Sequence, residues 1–306
     1  MSAATMGLVV TETMMPVNGI QVCLETFGER TEPPLLLLAG EASSMDWWDD
    51  EFCRRLAAGG RFVIRYDHRD TGRSTAFPAG TTYSGVDLMN DALGVLDALG
   101  VPAAHLVGLS LGGALAQRIA VEHPHRVLTL TLIATSAGLG PDAMPVLAGV
   151  GAVAVRTVPA TEVRVRTATD EVDWSNRRSA VAGIIAEVRA RGGPFTPDEP
   201  QLRRLAERVY DRSADLAAAR LNHRCAGYGP PVRDRLAAID VPTLILHGTL
   251  DQRFPSEHPR ELARVIPGSR LVWLEGVGHE VPPRAVWAQV LTEILGEPAE
   301  PLSPAP

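Results

Sequence analysis

The sequence predicts an α/β protein with a mostly parallel, doubly wound sheet and a helical insertion. Short apolar runs alternate with stretches of helical period in residues 20–133 and again in residues 243–295. A Gly-x-Ser-x-Gly motif at residues 108–112 lies between one such run and one such stretch. In residues 137–231 the strand pattern stops and only helical periodicity continues, which predicts an inserted group of helices.

Each element follows from a local pattern. Asn18-Gly19 favours a tight antiparallel hairpin between the first two strands, and four consecutive leucines at residues 35–38 indicate a fully buried strand. The predicted strands are residues 8–13, 20–27, 35–38, 62–66, 103–107, 127–133, 243–247 and 270–274. The predicted helices are residues 45–58, 84–99, a stretch directly after residue 112, 257–265 and 286–295.

These elements divide the chain into a core, a cap and a tail. Residues 1–136 and 232–296 carry the α/β pattern and are the predicted core. Residues 137–231, inserted after the sixth sheet strand, are the predicted helical cap over the carboxyl edge, where open α/β sheets bind ligands. Residues 297–306 are Pro-rich, and we expect them to be disordered.

The charge composition excludes several functions. All 29 Lys and Arg residues are Arg, so the chain has no Lys for a phosphate-binding loop, a Schiff base or a Lys nucleophile. The net charge of −7, without a basic stripe, argues against nucleic acid as a partner.

The cysteines and the apolar stretches indicate the compartment. Cys23, Cys53 and Cys225 lie far apart without a Cys-x-x-Cys pair, so we interpret them as thiols in a reducing compartment. The first ten residues do not resemble a signal peptide, and the longest apolar stretch, residues 143–155, is too short to span a bilayer. We therefore expect a cytoplasmic protein without a membrane partner.

Ser110 is the candidate nucleophile. It is the central residue of the Gly-x-Ser-x-Gly motif, and the strand before it and the helix after it provide the context of a nucleophile elbow. The flanking glycines Gly108 and Gly112 allow strand and helix backbones to approach closely. This turn would expose the Ser110 hydroxyl at the carboxyl edge of the sheet.

A serine nucleophile needs a histidine base and a carboxylate, and in this architecture they follow it in the order acid, then histidine. Asp251 follows the predicted strand 243–247, and His279 follows the predicted strand 270–274 after a Gly-x-Gly loop. Both therefore belong to the same sheet edge as Ser110. Asp142, after the sixth strand, is the second choice for the acid.

The tetrahedral oxyanion of acyl transfer requires two backbone N–H donors. One is expected from Leu111, the residue after the nucleophile, and the other from Glu41, in the loop after the strand 35–38. Gly40 provides the flexibility for this loop and is expected to border the substrate. We expect the Glu41 side chain to point away from the oxyanion, or else to contact a cationic or hydroxylated part of the substrate.

The cap is expected to shape an apolar substrate pocket. Aromatic residues are only 5% of the chain, so those outside the core are candidates for ligand contact. The residues assigned to this pocket are Met144, Trp174, Phe195 and Tyr228.

Several motifs together resemble the α/β-hydrolase superfamily. They are the buried leucine strand, Asp-His-Arg-Asp-Thr-Gly-Arg-Ser at residues 67–74, the motif around Ser110, the Asp251 loop and Gly-Val-Gly-His ending at His279. The resemblance extends over about residues 16–296 and is weakest in the cap. It implies an α/β-hydrolase fold with a helical cap, and we interpret residues 67–74 as a structural turn near the oxyanion loop, braced by Asp67 and Arg69.

Within this superfamily the segment 67–74 is most similar to aclacinomycin methylesterase-like enzymes of polyketide tailoring, which cleave a methyl ester on an anthracycline ring. The chain departs from them at Glu41, where a Gly is expected, and at Leu111, where a Met is expected. Proline iminopeptidases have a related loop, but their Gly-Gly-Pro-Gly oxyanion loop and the Trp after the nucleophile do not occur here.

The sequence therefore favours a serine esterase that acts on a small or polyketide-like ester, without a metal or organic cofactor. Two alternatives remain open. The same fold supports C–C hydrolysis, perhydrolysis or non-hydrolytic cyclisation, and a non-catalytic small-molecule receptor is a third hypothesis, although a receptor has no need of Asp251 and His279. The oligomeric state is left open.

Overall fold

The computed structural model describes residues 12–138 and 172–296. Eight strands form one sheet in the order β1-β2-β4-β3-β5-β6-β7-β8. The strands are β1 Thr13–Val17, β2 Ile20–Phe27, β3 Pro34–Leu38, β4 Phe62–Tyr66, β5 Ala104–Leu109, β6 Val127–Ile133, β7 Thr243–Gly248 and β8 Arg270–Leu274. From β4 to β8 all pairings are parallel, whereas β1–β2 and β2–β4 are antiparallel. The sheet confirms the predicted fold class.

The helices cover both faces of the sheet and form the cap. They are α1 Asp50–Ala58, α2 Gly85–Ala98, α3 Leu111–Glu122, α4 Arg177–Arg191, α5 Glu199–Arg212, α6 Leu216–Cys225, α7 Glu257–Val265 and α8 Trp287–Leu295. Helices α2, α3 and α7 pack on one face of the sheet, through residues such as Leu93 and Ile119. Helices α1 and α8 pack on the other face, through residues such as Phe52 and Val290.

The cap helices α4, α5 and α6 lie between β6 and β7 in the chain and share a small apolar core of their own, with Ile184, Val209 and Leu216 buried in it. The inserted helices agree with the predicted helical insertion after the sixth strand. Residues 139–171, which include Met144 and Asp142, lie outside the described residues, as does the tail 297–306.

Two predicted elements have different bounds in the structure. The first described strand is Thr13–Val17, because the two-residue turn at Asn18 and Gly19 pairs Val17 directly with Ile20, whereas most of the predicted strand 8–13 lies outside the described residues. The predicted helix 45–58 is divided into a short 3-10 turn and α1. The division falls at Asp49, whose side chain caps α1 by accepting the Glu51 N–H.

Within residues 12–138 and 172–296, no helix is both long and apolar enough to cross a membrane. The same residues contain no cluster of three or more His, Cys, Asp and Glu side chains that could hold a metal ion.

Candidate active site

Ser110 lies on a strained turn between β5 and α3. Its φ of 52° is in the left-handed region, which non-glycine residues rarely adopt. The turn is close-packed, because a Cβ at Gly108 would lie 2.2 Å from the Gly112 carbonyl oxygen. The Ser110 N–H donates to the Ile133 carbonyl at 2.9 Å, and the Thr135 hydroxyl donates to the Ser110 carbonyl at 2.8 Å. The adjoining strand β6 thus helps to hold the elbow.

The structure brings Ser110, His279 and Asp251 into one hydrogen-bonded line. His279 Nε2 lies 3.1 Å from Ser110 Oγ, and His279 Nδ1 lies 2.8 Å from Asp251 Oδ2. The Asp251 loop follows β7 and the His279 loop follows β8, so adjacent parallel strands deliver both side chains to the edge where β5 ends. This distance pattern is the one in which a histidine accepts a serine proton and a carboxylate orients the histidine.

Asp251 is held in its ionised form. Burial raises the pKa of this carboxyl, but His279 and the Phe254 backbone N–H outweigh burial and bring the pKa below its ordinary value. The second oxygen, Oδ1, accepts the N–H groups of Arg253 and Phe254, each at 2.9 Å. His247, in the strand before this loop, lies with Nε2 2.8 Å from the Phe254 carbonyl oxygen.

The two expected oxyanion donors flank Ser110. Leu111 is the first residue of α3, where backbone N–H groups have no intrahelical acceptor. Gly40 lies close to Ser110, since a Cβ at this position would be 3.9 Å from the Ser110 Cβ. The next residue, Glu41, has a side chain that is 44% exposed and lies 3.8 Å from the Arg253 guanidinium. Its charge is therefore partly exposed to solvent and lies near an arginine.

A buried network of hydrogen bonds and ion pairs supports the loop after β3. The sequence analysis identified only part of this network. Asp67 Oδ1 accepts the Met45 N–H at 2.8 Å, and its Oδ2 accepts the Arg73 N–H at 2.9 Å. Arg69 forms two hydrogen bonds with Asp91, each of 2.7 Å. These contacts agree with the interpretation of residues 67–74 as a braced turn. The sequence did not reveal that Arg212, from the cap helix α5, also binds Asp67 at 2.7 Å.

The cap also contacts the histidine loop directly. The His279 N–H donates to the Arg191 carbonyl at the end of α4, at a distance of 2.7 Å. Glu280 accepts the Gly193 N–H at 3.0 Å and the Thr196 hydroxyl at 2.9 Å. No sequence motif marked Glu280, because its partners lie more than 80 residues earlier in the chain.

A cavity of about 600 Å³ opens beside Ser110 and His279, between the core and the cap. Gly40 is one of the residues that line it. Its apolar lining includes Trp47, Leu109, Val188, Leu202, Leu205 and Val281.

Three aromatic residues assigned to the pocket lie elsewhere among the described residues. Trp174 packs under the Arg220 guanidinium, 3.6 Å from it, and Phe195 lies over the backbone of Gly276. Tyr228 is 45% exposed and its carbonyl accepts a hydrogen bond from Arg118. Scarcity of aromatic residues did not locate the pocket, because Trp174 and Phe195 contact other neighbours and Tyr228 is largely exposed. Met144 lies outside the described residues.

The doubly wound sheet, the inserted cap and the serine on the strand–helix turn define the class of α/β hydrolases. Comparison with known families agrees, because the family described as alpha/beta hydrolase fold matches residues 33–283. The chain belongs to this family.

Named relatives narrow the class. The chain is 36% identical over 281 residues to rhodomycin D methylesterase DauP of Streptomyces sp. (strain C5), and the match covers 88% of this chain and 92% of the relative. Rhodomycin D methylesterase DnrP of Streptomyces peucetius matches with the same identity and coverage. Among solved structures, a hydrolase from Pseudomonas aeruginosa PA01 superposes with a TM-score of 0.67 at 26% identity, covering 94% of this chain and 100% of that one. The chain is a carboxylic ester hydrolase similar to the methylesterases, which confirms the resemblance seen in the sequence.

Proposed function

We propose that the enzyme hydrolyses a carboxylic methyl ester through Ser110, His279 and Asp251, and that the ester belongs to a polyketide-like molecule related to rhodomycin D. The observation that carries this proposal is the continuous line of hydrogen-bond distances from Asp251 to Ser110. The names of the two methylesterase relatives support the methyl ester and the kind of substrate.

In the proposed mechanism, His279 Nε2 removes the proton of the Ser110 hydroxyl as Oγ attacks the ester carbonyl. The negative charge that develops on the carbonyl oxygen is stabilised by the N–H groups of Leu111 and Glu41. His279 then gives its proton to the departing methoxide, so that methanol leaves and an acyl-Ser110 ester remains. Asp251 stabilises the positively charged imidazole throughout.

Water completes the reaction. His279 removes a proton from a water molecule that attacks the acyl-Ser110 carbonyl, and the protonated histidine returns this proton to Ser110 Oγ. The products are the free carboxylic acid and the regenerated serine. Every proposed step uses a side chain or backbone group of this chain, with no metal or organic cofactor.

Methanol release and ¹⁸O incorporation test this proposal. With a methyl ester in H₂¹⁸O, we expect methanol and a carboxylate that contains ¹⁸O from water, and we expect neither with Ser110→Ala. An intact Ser110→Ala activity would contradict the nucleophile. Turnover of the wild-type substrate without ¹⁸O in the product would instead favour the non-hydrolytic chemistry of the same fold.

A further inference from the structure

The cavity beside Ser110 is lined by many charged groups, and its acidic groups are nearly all paired. Among the described lining residues, every carboxylate except Glu280 forms an ion pair with an arginine. The pairs with lining arginines are Glu41–Arg253, Asp46–Arg208, Asp49–Arg284, Asp50–Arg208, Glu51–Arg54 and Glu187–Arg220. Glu280 is held instead by Gly193 and Thr196. The cavity therefore offers little free negative charge to a ligand.

By contrast, several arginines of the lining have no carboxylate partner among the described residues. The side chains of Arg191, Arg204 and Arg224 line the cavity from α4, α5 and α6, and none forms a hydrogen bond or ion pair with another described residue. This local excess of positive charge occurs in a chain whose net charge is −7. It is therefore a property of the cavity rather than of the surface as a whole.

Arg191 and Arg224 affect the pKa of a further arginine of the lining, Arg220. Burial lowers the pKa of Arg220, and the positive charges of Arg224 and Arg191 lower it further, while Glu187 raises it. Arg220 Nε is buried without a partner among the described residues, although the carbon of its guanidinium lies 3.6 Å from the centre of the Trp174 ring. We call Arg191, Arg220 and Arg224 the cap arginine cluster. Only Arg220 in this cluster has a carboxylate partner, Glu187, and the Nε–H of Arg220 has no acceptor among the described residues.

The cluster lies close to the reacting groups. Arg191 is the last residue of α4, and its carbonyl oxygen accepts the His279 N–H at 2.7 Å. Its side chain therefore begins next to the histidine loop, and all three arginines line the cavity that contains Ser110 and His279.

We propose that the cap arginine cluster binds a second, free carboxylate on the substrate, while the ester carbonyl lies at Ser110. This inference rests on the proposed esterase function and adds the charge of its substrate. Arginine binds a carboxylate through parallel N–H donors, and a planar guanidinium already held by Trp174 and Glu187 loses less freedom on binding. A bound carboxylate would also relieve the repulsion among three neighbouring cations.

Matched esters test this proposal. We compare kcat/KM for monomethyl suberate, which carries a free carboxylate, with kcat/KM for methyl octanoate, a neutral ester of the same chain length. The wild type should prefer monomethyl suberate by about fivefold, which is the effect of one or two partly exposed charge pairs. Raising the salt from about 0.1 M to about 1 M shortens the Debye length from about 10 Å to about 3 Å and should reduce the preference.

Variants locate the effect. Arg224→Gln and Arg191→Gln should each lower the preference about two- to threefold. Arg178→Gln removes a positive charge from the same helix α4 but outside the cavity lining, and it should leave the preference as in the wild type. A wild-type ratio near one, or an equal loss in Arg178→Gln, would overturn the proposal.

Binding to Ser110→Ala, measured by calorimetry, separates this proposal from the esterase function. The variant should bind monomethyl suberate more tightly than methyl octanoate, and Arg224→Gln in the same background should remove most of the difference. Equal binding of the two esters contradicts the carboxylate site. A wild type that hydrolyses neither ester contradicts the esterase function, while the binding result still decides the role of the cluster.

Discussion

The main-chain N–H of His279 donates a hydrogen bond to the main-chain carbonyl of Arg191, across 2.7 Å between the core and the cap. Beside it, Glu280 accepts hydrogen bonds from Gly193 and Thr196. The histidine loop therefore contacts the end of α4, so the cap contributes to the position of His279 as well as to the walls of the cavity.

Glu280 is expected to act as a positioning residue for His279. Glu280→Ala removes the acceptor of the hydrogen bonds from Gly193 and Thr196 and should lower kcat about tenfold with a smaller change in KM, because a misplaced base affects proton transfer more than binding. Glu280→Gln is the matched control, since its amide can still bond to Gly193 and Thr196, and it should retain most of the activity. Active-site titration normalises kcat to the folded fraction. Equal losses in the two variants would contradict this role.

Ser110 and His279 should behave as one unit. Ser110→Ala and His279→Ala should each reduce kcat by a factor on the order of 10⁶, and the double variant should lose little more than either one. The reason is that the serine is a weak nucleophile without the base, and that the base has no hydroxyl proton to remove without the serine. Steady-state kinetics on one ester measures all three variants. Independent, multiplying losses would show that the two side chains do not act together.

Glu41→Gln should leave kcat/KM nearly unchanged for neutral esters. The carboxylate is 44% exposed and lies 3.8 Å from Arg253, so solvent and this arginine reduce its effect on the oxyanion. An unscreened charge beside the oxyanion would have slowed the reaction strongly. A rise of tenfold or more, equivalent to about 1.4 kcal/mol, would mean that the side chain faces the reacting carbonyl.

Leu205 should affect bulky esters more than small ones. It lines the cavity from α5, and Leu205→Ala should change kcat/KM for a bulky ester several-fold more than for an acetate ester, because only the larger acyl group reaches the cap. Leu221→Ala, an exposed position on α6 outside the cavity lining, is the control. Equal losses with both esters would indicate a defect of stability.

The free energy of unfolding should decrease on acidification below about pH 6.5. Burial lowers the pKa of His68 from 6.5 to about 3, so between these values the unfolded chain binds a proton that the native protein does not. His68 thus lowers the free energy of unfolding by up to about 1.4 kcal/mol for each pH unit of acidification in this window. Denaturant unfolding of the wild type and of His68→Gln at several pH values measures the slope, which should be smaller in the variant. Identical slopes would rule out this contribution.

The sequence by itself determined the elements and the edge of the sheet on which the reactive residues lie. Alternating apolar runs and helical periods reflect local backbone geometry, so they identified the strands and helices of the core with shifts of a few residues. Ser110, Asp251 and His279 could be assigned to one edge because the ends of parallel strands meet there and each residue follows a strand. The spacing of residues along the chain is enough to identify a strand or a helix and the residue that follows it.

Only the tertiary structure decided which side chains meet across the cap. The contacts of Arg212 with Asp67, of Glu280 with Gly193 and of the cap arginine cluster join residues far apart in the chain, and no local pattern encodes their distances. The same limit explains why Trp174 and Phe195 were assigned to the pocket but do not line the cavity. Hydrophobicity predicts that a ring is buried somewhere, whereas the packing of helices against one another determines which cavity or neighbour it contacts.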